Sequence, residues 1–445
     1  MDNIKNLCRI FDCCGTKFLY NGFDNTLLEF DSKLQDALND ENSIYANKYS
    51  RKVFCEYDIE RIELKSSSML RHVVITLTED CNFRCKYCGY HNNRFTNSSS
   101  LKSIDEITLR KALDFISDHS SDAYDTLISF YGGEPLLKFD LIKFAIEYLE
   151  KKNCLGHKYN YRLTTNGSLL ESNVVDYLVS KDITCTISLD GPAYIHDRFR
   201  VYKNGRPTYS DVIRNLKKII KKYPRYYKNN IRFNAVISPP YNCSVPKDYF
   251  EKTNVFYIDV AIGDYFSELL KNEYGIESLE NIDDLPLKRV DFRTDEVLKN
   301  MNFLESLKVY TSIGKKDTRS SIFPSGFCVP LVKRIHIGVD GKIMLCERVD
   351  ESNSHFYFGD VFTGYNFDKI ESLYKYANSI LEGNCNKCWA FRFCYACFAS
   401  LARIDYDGEF CRKIRKTAEQ GIITYLNLKF YNKRFDDIMK SISQD

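Results

Sequence analysis

Val73-Val74-Ile75-Thr76-Leu77-Thr78-Glu79-Asp80-Cys81-Asn82-Phe83-Arg84-Cys85-Lys86-Tyr87-Cys88 is the stretch on which the reading of this chain turns. Its first six residues are apolar or β-branched and read as a strand, and its last eight place three cysteines in a turn directly after it. Three thiolates hold only three corners of a cubane iron-sulfur cluster, which leaves one iron open to a small molecule. Zinc is the competing reading of the same turn, because His91 stands close enough in sequence to complete a site of three cysteines and one histidine. What lies further along decides between them.

Outward from this turn, Thr126-Leu127-Ile128-Ser129-Phe130 reads as a second strand that feeds Tyr131-Gly132-Gly133-Glu134-Pro135 and then a helix. Two adjacent glycines allow backbone to approach a ligand closely, and the Glu134 carboxylate is an acceptor suited to an ammonium. Then come Thr164-Thr165-Asn166-Gly167, Ser188-Leu189-Asp190-Gly191-Pro192 and His196-Asp197-Arg198-Phe199-Arg200. Singly these read as ordinary turns and a helix start with Asp as cap. In this order, behind the three-cysteine turn, they resemble the radical S-adenosylmethionine (SAM) enzymes. The resemblance implies that Cys81, Cys85 and Cys88 hold a 4Fe-4S cluster whose free iron is chelated by the amine and carboxylate of SAM. It further implies that Gly132, Gly133 and Glu134 meet the amine, that Ser188 bonds the ribose, that Arg200 pairs with the carboxylate, and that Tyr87 and Asn166 contribute to the pocket.

β-rich runs at 73–78, 126–130, 159–164, 183–188, 231–237 and 255–260 alternate with helical patterns over Ile107 to Ile116, Leu141 to Leu149, Val174 to Val179 and Val212 to Ile220. Such alternation gives a parallel sheet with right-handed crossovers. The fold class is therefore α/β, and the six units match the partial (β/α)6, TIM-like barrel of the family resembled. Chemistry in parallel barrels sits at the carboxyl ends of the strands, where the cysteine turn, Gly132-Gly133 and Asn166 all fall.

A second cysteine set comprises Cys328, Cys346 behind Gly341-Lys342-Ile343-Met344-Leu345, Cys385-Asn386-Lys387-Cys388, Cys394, Cys397 and Cys411. Seven thiols are too many for one metal. A zinc ribbon on Cys385, Cys388, Cys394 and Cys397 is one reading. The set also resembles the SPASM extension of radical SAM peptide-modifying enzymes. That resemblance implies two auxiliary 4Fe-4S clusters, one on Cys385, Cys388, Cys394 and Cys411 and one on Cys328, Cys346 and Cys397, hence three clusters in all. Two departures stand out: Ser320-Ser321-Ile322-Phe323-Pro324-Ser325 lacks the further cysteine that would complete the latter set, and the step from Cys394 to Cys397 is one residue shorter than usual. Glu347 directly follows Cys346. Sulfatase-maturing relatives carry an aspartate at the matching place as proposed base, so Glu347 is the candidate base, a solvated carboxylate beside Arg348 being the alternative.

The domains expected are 1–70, a small N-terminal α+β module; 71–265, the barrel; 266–320, a polar bridging region; 321–412, the auxiliary-cluster (SPASM) domain; and 413–445, a C-terminal helix. Within the first, Lys17 to Tyr20, a turn at Asn21-Gly22, Thr26 to Phe30 and a helical pattern from Asp31 read as a hairpin and capped helix. The resemblance makes this a leader-peptide-recognition module that binds its ligand as an added strand; a small lid is the other reading. Seventeen cysteines without a secretory pattern at Met1-Asp2-Asn3-Ile4-Lys5 point to ligands in a reducing, cytoplasmic compartment. No run is long enough to span a bilayer, and a net charge of +3 in 445 residues does not indicate nucleic acid. The function expected is a radical SAM maturase of a ribosomally made precursor peptide, forming cysteine sulfur-to-carbon thioethers and fed electrons by a flavodoxin or ferredoxin. Formylglycine formation in a sulfatase, carbon-to-carbon crosslinking of a peptide, and an iron-sulfur redox sensor are the alternatives.

Overall fold

A computed structural model of the chain describes residues 7–13, 15–22, 24–39, 57–88, 101–152, 156–237, 249, 257–262, 290–291, 324, 326–349 and 353–431. His91, most of Ser320–Ser325 and the bridging region 266–320, apart from 290–291, lie outside them. The residues gather into two units, one of Met1–Asp58, Thr294–Cys328 and Glu371–Asp445, the other of Ile59–Arg293 and Val329–Ile370.

In the first unit, β1 (Cys8–Cys13), β2 (Thr16–Asn21) and β3 (Thr26–Glu29) form an antiparallel sheet in chain order. β2 and β3 occupy the two expected strands, and β1 precedes them. The helix Ser32–Asn39 begins under Asp31, whose carboxylate accepts from the Leu34 amide at 2.8 Å. Phe11, Phe18 and Tyr20 are buried in one core with Trp389, Ala418, Ile422, Tyr425 and Leu426, the last four on the helix Glu409–Tyr431. The first strands and the last described helix thus share their apolar faces.

The second unit is built on six parallel strands paired in sequence order: β4 (His72–Thr78), β5 (Asp125–Gly132), β6 (Lys158–Thr165), β7 (Thr184–Ser188), β8 (Ile231–Ile237) and β9 (Tyr257–Ile262). Helices Glu106–His119, Phe139–Lys152, Ser172–Ser180 and Tyr209–Lys222 connect them. Two additions extend the sheet. β10 (Val290–Asp291) pairs antiparallel with β9; on the other side, β11 (Ile335–Ile337) lies parallel to β4 and continues antiparallel through β12 (Lys342–Met344), β13 (Tyr357–Asp360) and β14 (Gly364–Tyr365).

The strands alternate. Ile128 and Phe130, Tyr161 and Leu163, Cys185 and Ile187, Phe233 and Ala235 are buried. The intervening Asn160, Arg162, Thr164, Thr184, Thr186, Ser188, Arg232 and Asn234 are polar and keep partial exposure. Successive side chains point to opposite faces of a strand, so one face of the sheet is an apolar layer and the other a polar wall that water reaches. His72 and His336 belong to that polar face, with Nε2 of each 2.8 Å from Ser129 Oγ and Thr76 Oγ1 respectively. Burial, aided by nearby arginines, pushes them down to about 3 and about 4, which keeps both rings neutral.

Candidate active site

The three-cysteine turn is clamped from several sides. Asp80 Oδ1 accepts from the Cys81 amide at 2.8 Å, and the Phe83 amide points at Cys81 Sγ at 3.3 Å. Arg84 returns its guanidinium to the carbonyls of Cys81 and Phe83 at 2.7 and 2.8 Å. The amides of Arg84 and Lys86 donate to the carbonyls of Val201, just past the helix Ala193–Phe199, and of Phe199, its last residue. Phe83, 1% exposed, packs edge-on against Tyr202.

Gly132 and Gly133 serve this clamp. A Cβ on Gly132 would lie 2.1 Å from Thr78 O, and one on Gly133 would lie 2.2 Å from Asp80 O and 2.5 Å from Glu79 O. Gly132 also sits at φ +129°, where a side chain is strained. The close approach that the sequence suggested for a ligand is here an approach of backbone to backbone, which lets the Gly133 amide bond Thr78 O and the Glu134 amide bond Asp80 O.

Glu134 is the residue that the resemblance places at the SAM amine. It is fully buried, and its carboxylate accepts from Thr165 Oγ1 and the Asn166 amide at 2.7 Å each and from the Leu136 amide at 3.1 Å. The residue joins the ends of β5 and β6. Burial raises its pKa to about 7 against those three donors. Asn166, so placed, donates to Asn82 Oδ1 at 2.8 Å and lies 3.7 Å from Cys81 Sγ. Ser188 is half-buried at the end of β7.

Arg200 is 6% exposed and bidentate to Asp190, at 2.9 and 3.0 Å. Asp190 also accepts from Tyr87 Oη at 2.6 Å and the Val236 amide at 2.9 Å, and the guanidinium lies 5.2 Å from the Tyr87 ring centre. Two of the nitrogens expected to meet a SAM carboxylate therefore bind Asp190, and the guanidinium charge lies beside the Cys85 thiol. Asp190 was read from sequence as a turn residue; an acid closing a strand ten residues before a buried arginine was the available signal.

Cys81 and Cys85 are both pushed up to about 12, chiefly by burial, and each feels its neighbouring thiols. Among the described residues no three His, Cys, Asp or Glu side chains converge on one metal ion. Three thiols within electrostatic reach, with an amide and an Asn side chain directed at one sulfur, fit a cubane cluster. On the same unit, Glu347 is 8% exposed in its side chain, with Arg334 at 2.6 Å and Arg348 at 3.9 Å. It is thus held in an ion pair and is not the solvated carboxylate of the alternative reading. Tyr131, raised to about 12 by burial and then by Glu347, also feels Cys88, so carboxylate, phenol and cysteine turn share one neighbourhood.

In the first unit Cys385, Cys388, Cys394 and Cys411 lie within reach of one another, and Cys394 also feels Cys397. The Ala396 amide points at Cys394 Sγ at 3.4 Å, and the Arg415 charge stands beside Cys388 and Cys411. Four gathered thiols with a directed amide and a cation fit a second cubane. Cys328 belongs to this unit, its segment held where a Cβ on Gly326 would meet Tyr395 O at 2.2 Å; Cys346 belongs to the other. The set Cys328, Cys346 and Cys397 is divided between the units. Of the cysteines outside the motifs, Cys185 is a buried strand residue, Cys13 joins the apolar core, and Cys8 is pushed up to about 12 by burial.

Residues 75–234 match the family model described as the radical SAM superfamily. These residues form a radical SAM domain. Its similar proteins include the cysteine-type anaerobic sulfatase-maturating enzyme of Clostridium novyi, 28% identical over 37% of this chain and 43% of that one. Another is the radical SAM cyclopropyl synthase TigE of Paramaledivibacter caminithermalis, 25% identical over 56% and 52%. The chain thus spans about half the length of these curated relatives. Its fold resembles the solved structure described as native anSMEcpe with bound AdoMet, with a TM-score of 0.59, 18% identity, and coverage of 83% of this chain and 100% of that one. Among the described residues no helix is long and apolar enough to cross a membrane.

Gly133→Ala is expected to cost about 3 kcal/mol, since only backbone can give way; Gly383→Ala, with nothing within 4 Å, is expected to cost nothing in the same denaturant titration. Glu134 titrates higher folded than unfolded, so its contribution is complete below the unfolded value of 4.5 and is lost as pH rises through about 7. Between pH 4 and 8 wild type should therefore lose about 3 kcal/mol relative to Glu134→Gln, and parallel stability curves for the two proteins would refute the assignment.

Proposed function

We propose that this chain is a peptide maturase in which Cys81, Cys85 and Cys88 hold a 4Fe-4S cluster that binds SAM, and in which the C-terminal thiols hold two auxiliary clusters. When bound, the reduced cluster and SAM supply a 5′-deoxyadenosyl radical able to take a hydrogen atom from an unactivated carbon. The protein's contribution is placement. The Glu134–Asn166 tie and the paired glycines fix the cysteine turn, and Ser188, Tyr87 and the outer edge of Arg200 border the space above the strand ends. The polar wall carrying Arg162, Thr164, Thr186 and Arg232 receives the substrate.

The observation that carries the reading is the buried, Arg334-paired Glu347, whose charge Tyr131 feels together with Cys88 of the cysteine turn. Oxidative bond formation removes two hydrogens from a peptide: one would leave carbon as an atom, the other a thiol as a proton, and the electron left over as the carbon–sulfur bond forms would pass to an auxiliary cluster. Glu347 is the carboxylate in place to take that proton, and Arg334 holds its orientation. Thioether formation is preferred because the set Cys328, Cys346 and Cys397 offers only three thiolates, one fewer than a cubane takes, which suits a substrate cysteine. The unpaired outer side of β3 in the described sheet suits a leader peptide bound as an added strand, and a flavodoxin or ferredoxin is the electron donor proposed. Formylglycine formation is the second reading, favoured by similarity to a sulfatase-maturating enzyme.

Anaerobic reconstitution followed by SAM, dithionite and any short cysteine-rich peptide found encoded beside the gene is expected to remove two hydrogens per event, with one cysteine becoming inert to alkylation. The same mass loss with every cysteine still alkylatable would move the reading to carbon-to-carbon crosslinking. Glu347→Gln should keep SAM cleavage within about twofold while crosslinking falls by about 100-fold. Equal crosslinking by the variant would remove Glu347 from the reaction.

A further inference from the structure

The only tryptophan of the chain, Trp389, directly follows Cys388 and is 5% exposed. Its ring packs edge-on against two residues of the N-terminal sheet, Phe11 at 5.5 Å and Tyr20 at 6.3 Å. Tyr20 also meets Phe393, the residue before Cys394, at 5.1 Å, and its hydroxyl donates to Asn25 at 2.9 Å. Arg392 Nε donates to Gly22 O at 2.6 Å. A Cβ on Gly22 would come within 2.5 Å of Trp389 O, so only glycine permits this seating. Cys388 itself packs on the shared core, and the helix carrying Cys411 supplies Ala418, Ile422, Tyr425 and Leu426 to it.

We infer that the N-terminal sheet is a wall of the auxiliary cluster site on Cys385, Cys388, Cys394 and Cys411, with Trp389, Tyr20 and Gly22 as the positioning residues that seat it. The physical reason is local. Residues 385–397 contain only short 3-10 turns, which have few internal bonds to hold four sulfurs in place. Both the cysteine at the head of the Trp389 contact and the one beyond Phe393 are fixed by rings packed from β1 and β2. Without the sheet, Trp389 and Phe393 lose their partners, and Cys388 and Cys394 lose their fixed spacing. The sheet thus shields the cluster from water and sets its retention, whatever else binds its outer edge.

The inference rests on these four thiols holding a cluster, and the experiment separates the two. In a full-length chain with Cys81, Cys85 and Cys88 changed to Ala, only auxiliary iron remains. There Gly22→Ala, Tyr20→Ala and Trp389→Leu should each lose one cubane's worth of iron and sulfide, while Tyr20→Phe and Ile10→Ser, on the exposed side of β1, retain it. Trp389 fluorescence, a signal free of other tryptophans, should be quenched in the iron-loaded chain and recover on iron removal. Full iron in Gly22→Ala and Trp389→Leu, or fluorescence indifferent to loading, would overturn the inference. A Cys385→Ala, Cys388→Ala double variant that keeps all its iron would overturn the ligand set and the inference with it. If the double variant loses iron and Gly22→Ala does not, the ligand set stands and the wall falls.

Discussion

A carboxylate with no contact to water ties the ends of three neighbouring strands together. Glu134, just past β5, accepts from Thr165 and Asn166 at the end of β6; Asn166 in turn reaches Asn82 and Cys81 beyond β4. A buried acid is costly unless its lone pairs are used, and three donors use them. The arrangement holds only because Gly132 and Gly133 bring β5 against the backbone of Thr78 to Asp80 with no room for a Cβ. Removing either part frees the turn that carries the three thiols.

A second buried network governs charge beside that turn. Arg200, Asp190 and Tyr87 form a closed set, with the Asp190 carboxyl held below its usual range by Arg200 despite burial. Buried ion pairs contribute little net stability, because desolvation offsets attraction; their effect is orientation. Here the orientation fixes a guanidinium beside Cys85, and one cation against three thiolates leaves the pocket in need of further positive charge. A cationic cluster meets that need, and the same account holds for Arg415 beside Cys388 and Cys411.

Much of this was legible in the sequence. Six β-rich runs became six parallel strands, since fully buried alternating positions leave a strong period-two signal. Cysteine spacing located both thiol sets. β11 was not legible, because three residues carry no period, and with it went the reason for the environment of Glu347: the β11–β12 hairpin brings Arg334 to a residue thirteen positions later. The tie that Glu134 makes to β6 and the backbone contact of Gly133 were not legible, because residue type shows what a group can bind and not which way it faces. The packing of the N-terminal strands on the last described helix was not legible for a similar reason. Amphipathic strands announce that they need a partner face, and nothing local says that the face lies nearly four hundred residues away.

Sequence separation on that scale has a consequence for assembly. Contacts between β1 or β2 and Trp389 close a very long loop, and non-local contacts of this kind form late because the entropy of closure precedes their reward. The thiols they flank are raised by burial, and Cys394 reaches about 12, so the folded chain without a cation holds them protonated. Metal binding must then displace protons, and its free energy becomes part of the folding free energy. Chain closure and thiol ionisation therefore favour the same order of events. The sheet docks, the four sulfurs acquire a fixed spacing, and only then does a cluster gain enough from the site to offset the protons it removes.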